Sequence, residues 1–110
     1  MATKANIVID QGTTFSTVLT LIDNNGNLIN LNGYSANSLM KKWYTSSSYT
    51  QFTTSINTTS SEITLSLSAN QTNLLNAGRY VYDVELTDSA NNITRIVEGI
   101  ITVTPSATKD

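Results

Sequence analysis

Apolar and polar residues alternate along most of this chain in short runs, and each run ends in residues that favour turns. The clearest runs are Glu62 to Leu67 and Arg79 to Leu86. Side chains two residues apart lie on the same face of a strand, so each run predicts a strand with one buried face. Turn residues such as Asp23 to Asn27 separate the runs. The pattern predicts one all-β domain, an antiparallel β-sandwich of about seven strands.

The predicted strands cover residues 6–10, 15–22, 34–43, 51–57, 62–67, 79–86 and 93–104, with a short extended piece at 28–31. One capping-box pattern, Ser68 with Gln71 three residues later, predicts a single short helical turn. Gly78 is the residue expected to stop that turn. We expect one domain over residues 1–110, with an ordered core at 5–104 and a flexible tail at 105–110 that begins at Pro105.

The parity of the strands also predicts which side chains fill the core. We expect the following residues to be mostly buried: Ile7, Ile9, Phe15, Leu19, Leu21, Ile63, Leu65, Leu67, Tyr80, Tyr82, Val84, Leu86, Val97, Ile101 and Val103. A chain of 110 residues is long enough to bury such a core without disulfides.

Composition argues against an enzyme. The chain contains no Cys and no His, which removes thiol chemistry, the usual general base and the usual metal ligands. We therefore expect no catalytic residue, no cofactor and no metal. The six basic residues are scattered, with only Lys41 and Lys42 adjacent, so we expect no nucleic-acid partner. No apolar stretch approaches the ~20 residues of a membrane span, and Met1 leads at once into a strand-like run, so we expect no membrane association and no signal peptide.

Two motifs could carry chemistry. The segment from Ile9 to Thr14 resembles the first phosphate-binding segment of sugar kinases of the actin-like ATPase group. The match covers about six residues and has no further nucleotide motif, so a strand end followed by a glycine turn is the preferred interpretation. Asp83 and Glu85 share one strand face and could bind a cation or act as acid and base. Arg79 and Val81 share that face, which favours an ordinary solvated surface.

Several apolar residues have the parity that points away from the core. They are Val18 and Ile22 in the second strand, and Ile96 and Ile100 in the last strand. Trp43 faces outward if its strand turns Met40 inward. We predict that Trp43, Ile96 and Ile100 are buried against another subunit. The alternative is a β-bulge near Gly99, which would turn some of them inward.

Three aromatic residues, Trp43, Tyr44 and Tyr49, lie close together beside a Ser/Thr-rich loop. We predict that they belong to the same protein-contact surface. They could instead stack on sugars, and they could also simply pack at the rim of the sandwich.

The segment Asn76 to Tyr82 resembles the corner before strand F of immunoglobulin-like domains. In that comparison Tyr80 occupies the corner-tyrosine position and Tyr82 replaces the cysteine of the inter-sheet disulfide. The resemblance implies an immunoglobulin-like sandwich in which the Tyr80 hydroxyl donates to backbone upstream.

A broader resemblance covers roughly residues 5 to 105. The chain looks like small phage virion proteins and the N-terminal domain of phage baseplate upper proteins. The quoted residues are Gln11-Gly12-Thr13, Phe15, the Asp-Asn-Gly turn, Leu31-x-Gly33-Tyr34, Ile63 to Leu67, Ser68-Ala69-x-Gln71-Thr72, Ala77 to Leu86 and Val97-x-Gly99-x-Ile101-x-Val103.

This resemblance implies a virion structural protein that is made in the host cytoplasm and attaches one virion component to another without covalent bonds. Its partners would be other virion proteins, in a homo-oligomer or multi-copy assembly. The tail, baseplate, neck and head surface remain open as locations. A carbohydrate-binding or host-attachment sandwich is the alternative function.

Overall fold

The computed structural model describes residues 3–23 and 25–107 and consists of two packed β-sheets. The elements in chain order are β1 (Thr3–Lys4), β2 (Ile7–Asp10), β3 (Phe15–Thr20), β4 (Ser35–Lys41), β5 (Thr50–Gln51), β6 (Thr53–Asn57), β7 (Glu62–Leu67), α1 (Ala69–Asn73), β8 (Gly78–Thr87) and β9 (Ile93–Thr104). The predicted fold class, an all-β sandwich with one short helix, is confirmed.

The larger sheet has six strands in the order β1-β9-β8-β4-β5, and β2 also pairs with β9. β1 and β2 lie one after the other along β9 and run parallel to it. The sequence pattern predicted antiparallel pairing only. Parallel neighbours need a long connection between them, and here nearly the whole domain lies between the first strand and the last. Alternation within a strand does not indicate whether the neighbouring strand runs parallel or antiparallel to it.

The smaller sheet has three antiparallel strands in the order β3-β7-β6. Its inward side carries apolar rows such as Leu19, Ile63 and Ile56, which are in register. Its outward side consists almost entirely of uncharged polar residues. The outward positions are Ser16, Val18, Thr20, Thr53, Ser55, Asn57, Glu62, Thr64 and Ser66. Val18 is half-exposed in the middle of β3, as its parity predicted.

The core between the sheets contains the residues predicted for it. Eleven of the predicted side chains are buried, and Ile7, Phe15, Leu19 and Tyr80 are half-buried and pack against them. Four further residues are buried that the predicted core did not include, which are Leu31, Met40, Phe52 and Leu75. Leu31 lies in a loop and Leu75 next to α1, whereas Met40 lies in the irregular β4 and Phe52 between β5 and β6.

Phe52 marks the point where the chain passes from one sheet to the other. β5 pairs with β4 in the larger sheet, whereas β6 pairs with β7 in the smaller sheet. The Phe52 amide donates to the Ser38 carbonyl at 3.0 Å, and its ring contacts Phe15 and Tyr82 at centroid distances of 6.1 and 6.4 Å. The predicted strand 51–57 is therefore two short strands joined by a core aromatic.

The capping box that begins α1 is present. The Gln71 amide donates to the Ser68 hydroxyl at 3.2 Å, and the Ser68 amide donates to the Gln71 side chain at 2.9 Å. The prediction that Gly78 stops the helix is wrong, because α1 already ends at its C-cap, Leu74. Gly78 instead opens β8 with a φ of +138°, a conformation that glycine adopts without strain.

The chain after β9 is held in part against the domain. The Ser106 amide donates to the Gln11 side chain at 3.3 Å, a contact within the segment predicted to be a flexible tail. The last three positions of the predicted tail, 108–110, lie outside the described residues. Among the described residues, no helix is long and apolar enough to cross a membrane.

Candidate protein-contact surface

Two adjoining grooves cross the outer face of the six-stranded sheet. Their volumes are about 300 and 390 Å³, and Tyr44 and Val81 line both of them. The first groove lies over β4, β8 and β9, and the second extends toward β1 at the edge of the sheet. We refer to the two together as the Tyr44 groove.

Strand register builds the floor of this groove. Val81 lies between Lys41 on β4 and Ile100 on β9. One step along the strands, Asp83 lies between Leu39 and Glu98. Outward positions on neighbouring strands form rows in this way because side chains alternate between the two faces. The floor therefore combines an apolar centre with charged side chains around it.

Charged residues are concentrated in the groove, and basic and acidic residues are present there in equal number. The whole chain has six basic and eight acidic residues. Three basic and three acidic residues line the Tyr44 groove: Lys4, Lys41, Arg95, Asp83, Glu85 and Glu98. Arg95 Nε lies 3.2 Å from Asp83 Oδ2, and Arg95 Nη1 lies 3.9 Å from Glu98 Oε1. Exposed pairs of this kind add little stability to the fold.

A turn between β4 and β5 carries Tyr44 to the groove. The Trp43 amide donates to the Ser46 hydroxyl, and the Ser46 amide donates to the Trp43 carbonyl, both at 3.0 Å. Trp43, Tyr44 and Tyr49 are 66%, 56% and 58% exposed. Tyr44 lines the groove, whereas Trp43 and Tyr49 do not. The structure thus divides the predicted aromatic cluster between the groove and its surroundings.

The predicted contact residues of β9 are also separated. Ile100 is 41% exposed and lines the groove. Ile96 is half-buried and packs against the core, so its predicted outward position is wrong. The cause is a bulge, because Val97 pairs with Val84 and Arg95 pairs with Glu85, which leaves Ile96 without a partner in the ladder. The bulge lies at Ile96 rather than near Gly99.

The segment that resembles a kinase phosphate loop makes contacts within its own domain. The Asp10 carboxylate accepts from the Thr104 hydroxyl at 2.7 Å, and the Thr13 hydroxyl donates to the Asp10 carbonyl at 2.7 Å. Gln11 is buried, and its side-chain Nε2 donates to the Leu75 carbonyl at 2.6 Å. These contacts support the preferred interpretation, a strand end followed by a turn. Within the described residues, no three acidic side chains cluster to form a metal site.

Tyr80 makes the contact that the corner motif implies. Its hydroxyl donates to the Asn76 carbonyl at 2.8 Å, four residues upstream. The Lys42 ammonium lies 5.0 Å from the centre of the Tyr80 ring, within the range of a cation–π contact. Tyr80 is therefore a structural residue at the entry to β8, and it lies on the face opposite Val81.

The sequence pattern singled out Tyr44 and Ile100 as contact residues and placed Val81, Asp83 and Glu85 on one strand face. It did not predict that these residues share one groove. Leu39, Val81 and Glu98 become neighbours only through the pairing of three strands. Alternation shows that these residues point outward, but it does not show which strands lie side by side.

Comparison with protein-family models and with curated protein sequences found no match. Comparison with solved structures found an internalin-like protein of Listeria monocytogenes at a TM-score of 0.52. The alignment has 19% sequence identity and covers 94% of this chain but only 28% of the Listeria chain. A likeness at this identity concerns the fold, and the chain spans little more than a quarter of the length of that protein.

Proposed function

We propose that the chain is a non-enzymatic protein-binding module that acts as a structural component of a bacteriophage particle. The observation that carries the binding role is the Tyr44 groove, an apolar strip with a charged rim on an open sheet face. The resemblance of residues 5 to 105 to small phage virion proteins supports the particle as its location.

The groove has the composition of a protein interface. Interfaces combine aromatic and aliphatic residues at the centre with a polar rim, and tyrosine is enriched among the residues that dominate binding. Tyr44 is half-exposed above the groove, and Val81 and Ile100 supply the aliphatic floor. The net formal charge of −2 leaves little general repulsion between copies or partners.

A second candidate function is carbohydrate binding, which the exposure of Trp43 and Tyr49 favours. Flat exposed rings can stack on sugars. The two candidates differ in the residues they require, because a sugar platform would use Trp43 and Tyr49 and a protein interface would use the groove.

The test is incorporation into particles. A tagged copy of the chain is expressed in infected cells, and particles are purified on a density gradient. We expect the parent chain to band with particles, Tyr44→Ala to be depleted at least tenfold, and Tyr49→Ala, a matched exposed tyrosine, to remain. A parent chain that stays at the top of the gradient would contradict the proposal. Binding on a glycan array that Trp43→Ala abolishes would favour the second candidate.

A further inference from the structure

We propose that the outer edge of β3 binds the same edge of a second copy of this chain, so that the smaller sheets of the two copies join into one continuous sheet. The two β3 strands run antiparallel about a twofold axis at Val18. This edge belongs to the smaller sheet, whereas the Tyr44 groove lies on the larger one. The inference therefore goes beyond the function proposed for the groove and does not depend on it.

β3 lies at an open edge of the smaller sheet. The strand order is β3-β7-β6, so β3 pairs with β7 on one side only. The preceding strand, β2, pairs with β9 in the larger sheet and leaves this edge uncovered. Within the residues that the structure describes, no hydrogen bond reaches the backbone of β3 from its other side. An edge of this kind is a row of free donors and acceptors that an extended strand can occupy.

Every second residue of β3 presents its backbone groups at this edge. The Leu21 amide donates to the Ser61 carbonyl at 2.9 Å, in the register that β3 and β7 follow. Hydrogen-bonded and non-hydrogen-bonded pairs alternate along an antiparallel ladder. The odd-numbered residues of β3 therefore bond to β7. The even-numbered residues, Ser16, Val18 and Thr20, direct their N–H and C=O groups toward the open edge.

β3 lacks the features by which native edge strands avoid pairing, which are charged residues, proline, bulges and short length. It spans six residues, Phe15–Thr20, contains no charge and no proline, and follows β7 without a shift in register. By comparison, β1 at the edge of the larger sheet has two residues and carries Lys4, and β5 also has only two residues. The edge of β3 is therefore the longer and less protected one.

The opposite edge of the smaller sheet, β6, is uncharged as well but is attached to the larger sheet. The Thr54 hydroxyl donates to the Ala36 carbonyl of β4 at 3.1 Å. Just before β6, the Phe52 amide donates to the Ser38 carbonyl, also on β4. These contacts hold β6 against its own domain, whereas β3 has no comparable contact among the described residues.

The core is incompletely covered at the edge of β3. On the middle strand, β7, Ile63 and Leu67 are 0% and 2% exposed. Their partners on β3, Leu19 and Phe15, are apolar but only half-buried. A further strand beside β3 buries these side chains more completely, so apolar burial adds to the backbone hydrogen bonds.

The strand is complementary to itself in the antiparallel orientation. A twofold axis at Val18 places Val18 opposite Val18 of the second copy, and Ser16 opposite Thr20, twice in each dimer. All of these are edge-facing residues, so each pair exchanges two backbone hydrogen bonds. On the inner side the same register sets Leu19 opposite Thr17. Cross-strand pairs of β-branched and hydroxyl side chains are favourable, and no like charges meet. Because β3 supplies both the open edge and a strand that fits it, we assign a second copy as the partner.

Single cysteine variants test this register directly, because the chain has no Cys of its own. The Cα atoms of a hydrogen-bonded antiparallel pair lie about 5.5 Å apart, within the range of a disulfide. Under mild oxidation we expect Val18→Cys to form a covalent dimer. Ser16→Cys alone should not, since its two copies lie four positions apart along the ladder, roughly 13 Å. An equimolar mixture of Ser16→Cys and Thr20→Cys should cross-link.

A charge at the axis tests the association without cross-linking. We expect the parent chain to dimerise in analytical ultracentrifugation and Val18→Lys to raise the dimer Kd at least tenfold, because two like charges then lie opposite each other. Thr64→Lys is the matched control and should keep the parent Kd. Thr64 is the β7 partner of Val18 on the same outer face, one strand away from the open edge. Circular dichroism of each variant checks that the fold is retained.

Three results would overturn the inference. The first is a parent chain that remains monomeric at about 1 mM. The second is equal cross-linking of Val18→Cys and Ser16→Cys, because the strands would then not meet in this register. The third is open-ended association that grows with concentration, because β3 would then pair with a different edge of the next copy. None of these results bears on the proposed function, which is tested through Tyr44→Ala and incorporation into particles.

Discussion

The Tyr82 hydroxyl donates a 2.6 Å hydrogen bond to the carbonyl of Ala5, 77 residues earlier in the chain. Tyr82 is buried in the core, and Ala5 lies at the break between β1 and β2. The Tyr82 ring packs against Phe52 with a centroid distance of 6.4 Å. A hydrogen bond and an aromatic contact therefore stabilise the centre of this cysteine-free sandwich and attach its first strands.

Tyr82 gives the fold a measurable sensitivity to alkali. Burial raises the pKa of Tyr82 to about 12, above the usual value of about 10. The unfolded chain loses this proton first, so the stability that Tyr82 contributes is complete below pH 10 and declines as the pH rises toward 12. By pH 11 we expect a loss of about 1 kcal/mol that Tyr82→Phe does not show.

Urea denaturation of the parent and of Tyr82→Phe at pH 8 and pH 11 measures this difference. At pH 8 the variant should be about 1–2 kcal/mol less stable, because the Ala5 carbonyl loses its donor. All other ionisable groups are common to the two proteins, so their contributions cancel in the comparison. Equal losses of stability in the two proteins between pH 8 and pH 11 would show that Tyr82 does not cause them.

Position 99 requires glycine because the backbone of Ala5, between β1 and β2, lies very close to it. A Cβ atom at position 99 would lie 2.1 Å from the Ala5 carbonyl oxygen and 2.8 Å from its carbonyl carbon. These are backbone atoms, and the Ala5 amide is itself held by the Glu98 carbonyl at 2.9 Å. We expect Gly99→Ala to cost about 3 kcal/mol or more.

Gly26→Ala is the matched control for Gly99→Ala. Gly26 has a φ of +82° and no atom within 4 Å of its added Cβ, so its replacement adds backbone strain without a clash. We expect it to cost about 1 kcal/mol. Thermal melts of the two variants compare the two losses of stability directly. If the Gly99→Ala protein were as stable as Gly26→Ala, the backbone at Ala5 would be able to move away from position 99 at little cost.

The assignment of strand faces predicts a sharp contrast between buried and exposed positions. Leu65 and Leu86 are buried between the sheets, whereas Val18 is half-exposed on the outer side of β3. Leu65→Ala and Leu86→Ala should each cost about 2–5 kcal/mol because a cavity is left behind. Val18→Ala should change stability by less than about 1 kcal/mol. Chemical denaturation measures all three, and a midpoint that barely moves for both leucine variants would refute the assignment.

Sequence periodicity predicted the fold class and most of the core, because alternation specifies directly which side chains of a strand are buried. Glu62 to Leu67 illustrates this, since its alternate residues are buried as predicted. Periodicity did not predict those features of the fold that depend on strand pairing or on an irregularity within a strand. It could not place the bulge at Ile96, the sheet switch at Phe52 or the parallel pairing of β1 and β2, because each depends on neighbours that are distant in the sequence.

The same distinction applies to the candidate surface. Ile100 could be predicted from the parity of its strand, and Tyr44 from its place among three aromatic residues beside a Ser/Thr-rich loop. Their meeting in one groove depends on the turn from Trp43 to Ser46 and on the register between β8 and β9. Neither the turn nor the register can be predicted from the local amino-acid composition.

Ile96 and Ile100 lie on the same strand, but one contacts the core and the other lies at the surface. Ile96 packs against the core and Ile100 lines the groove, although they are four residues apart. We expect Ile96→Asp to lower the melting temperature strongly, because it brings a charge against the core. Ile100→Asp should leave the melting temperature within a few degrees of the parent value. Scanning calorimetry of the two purified variants makes the comparison, and a strong loss for Ile100→Asp would place Ile100 in the core.

Incorporation of the folded Ile100→Asp chain into phage particles tests the central claim most directly. The tagged variant and the tagged parent are expressed separately in infected cells, and the tag is quantified in gradient-purified particles. We expect the parent chain to be incorporated and the variant, although folded, to be depleted at least tenfold. Incorporation of the variant at the parent level would contradict the claim that the Tyr44 groove is the surface through which this protein assembles.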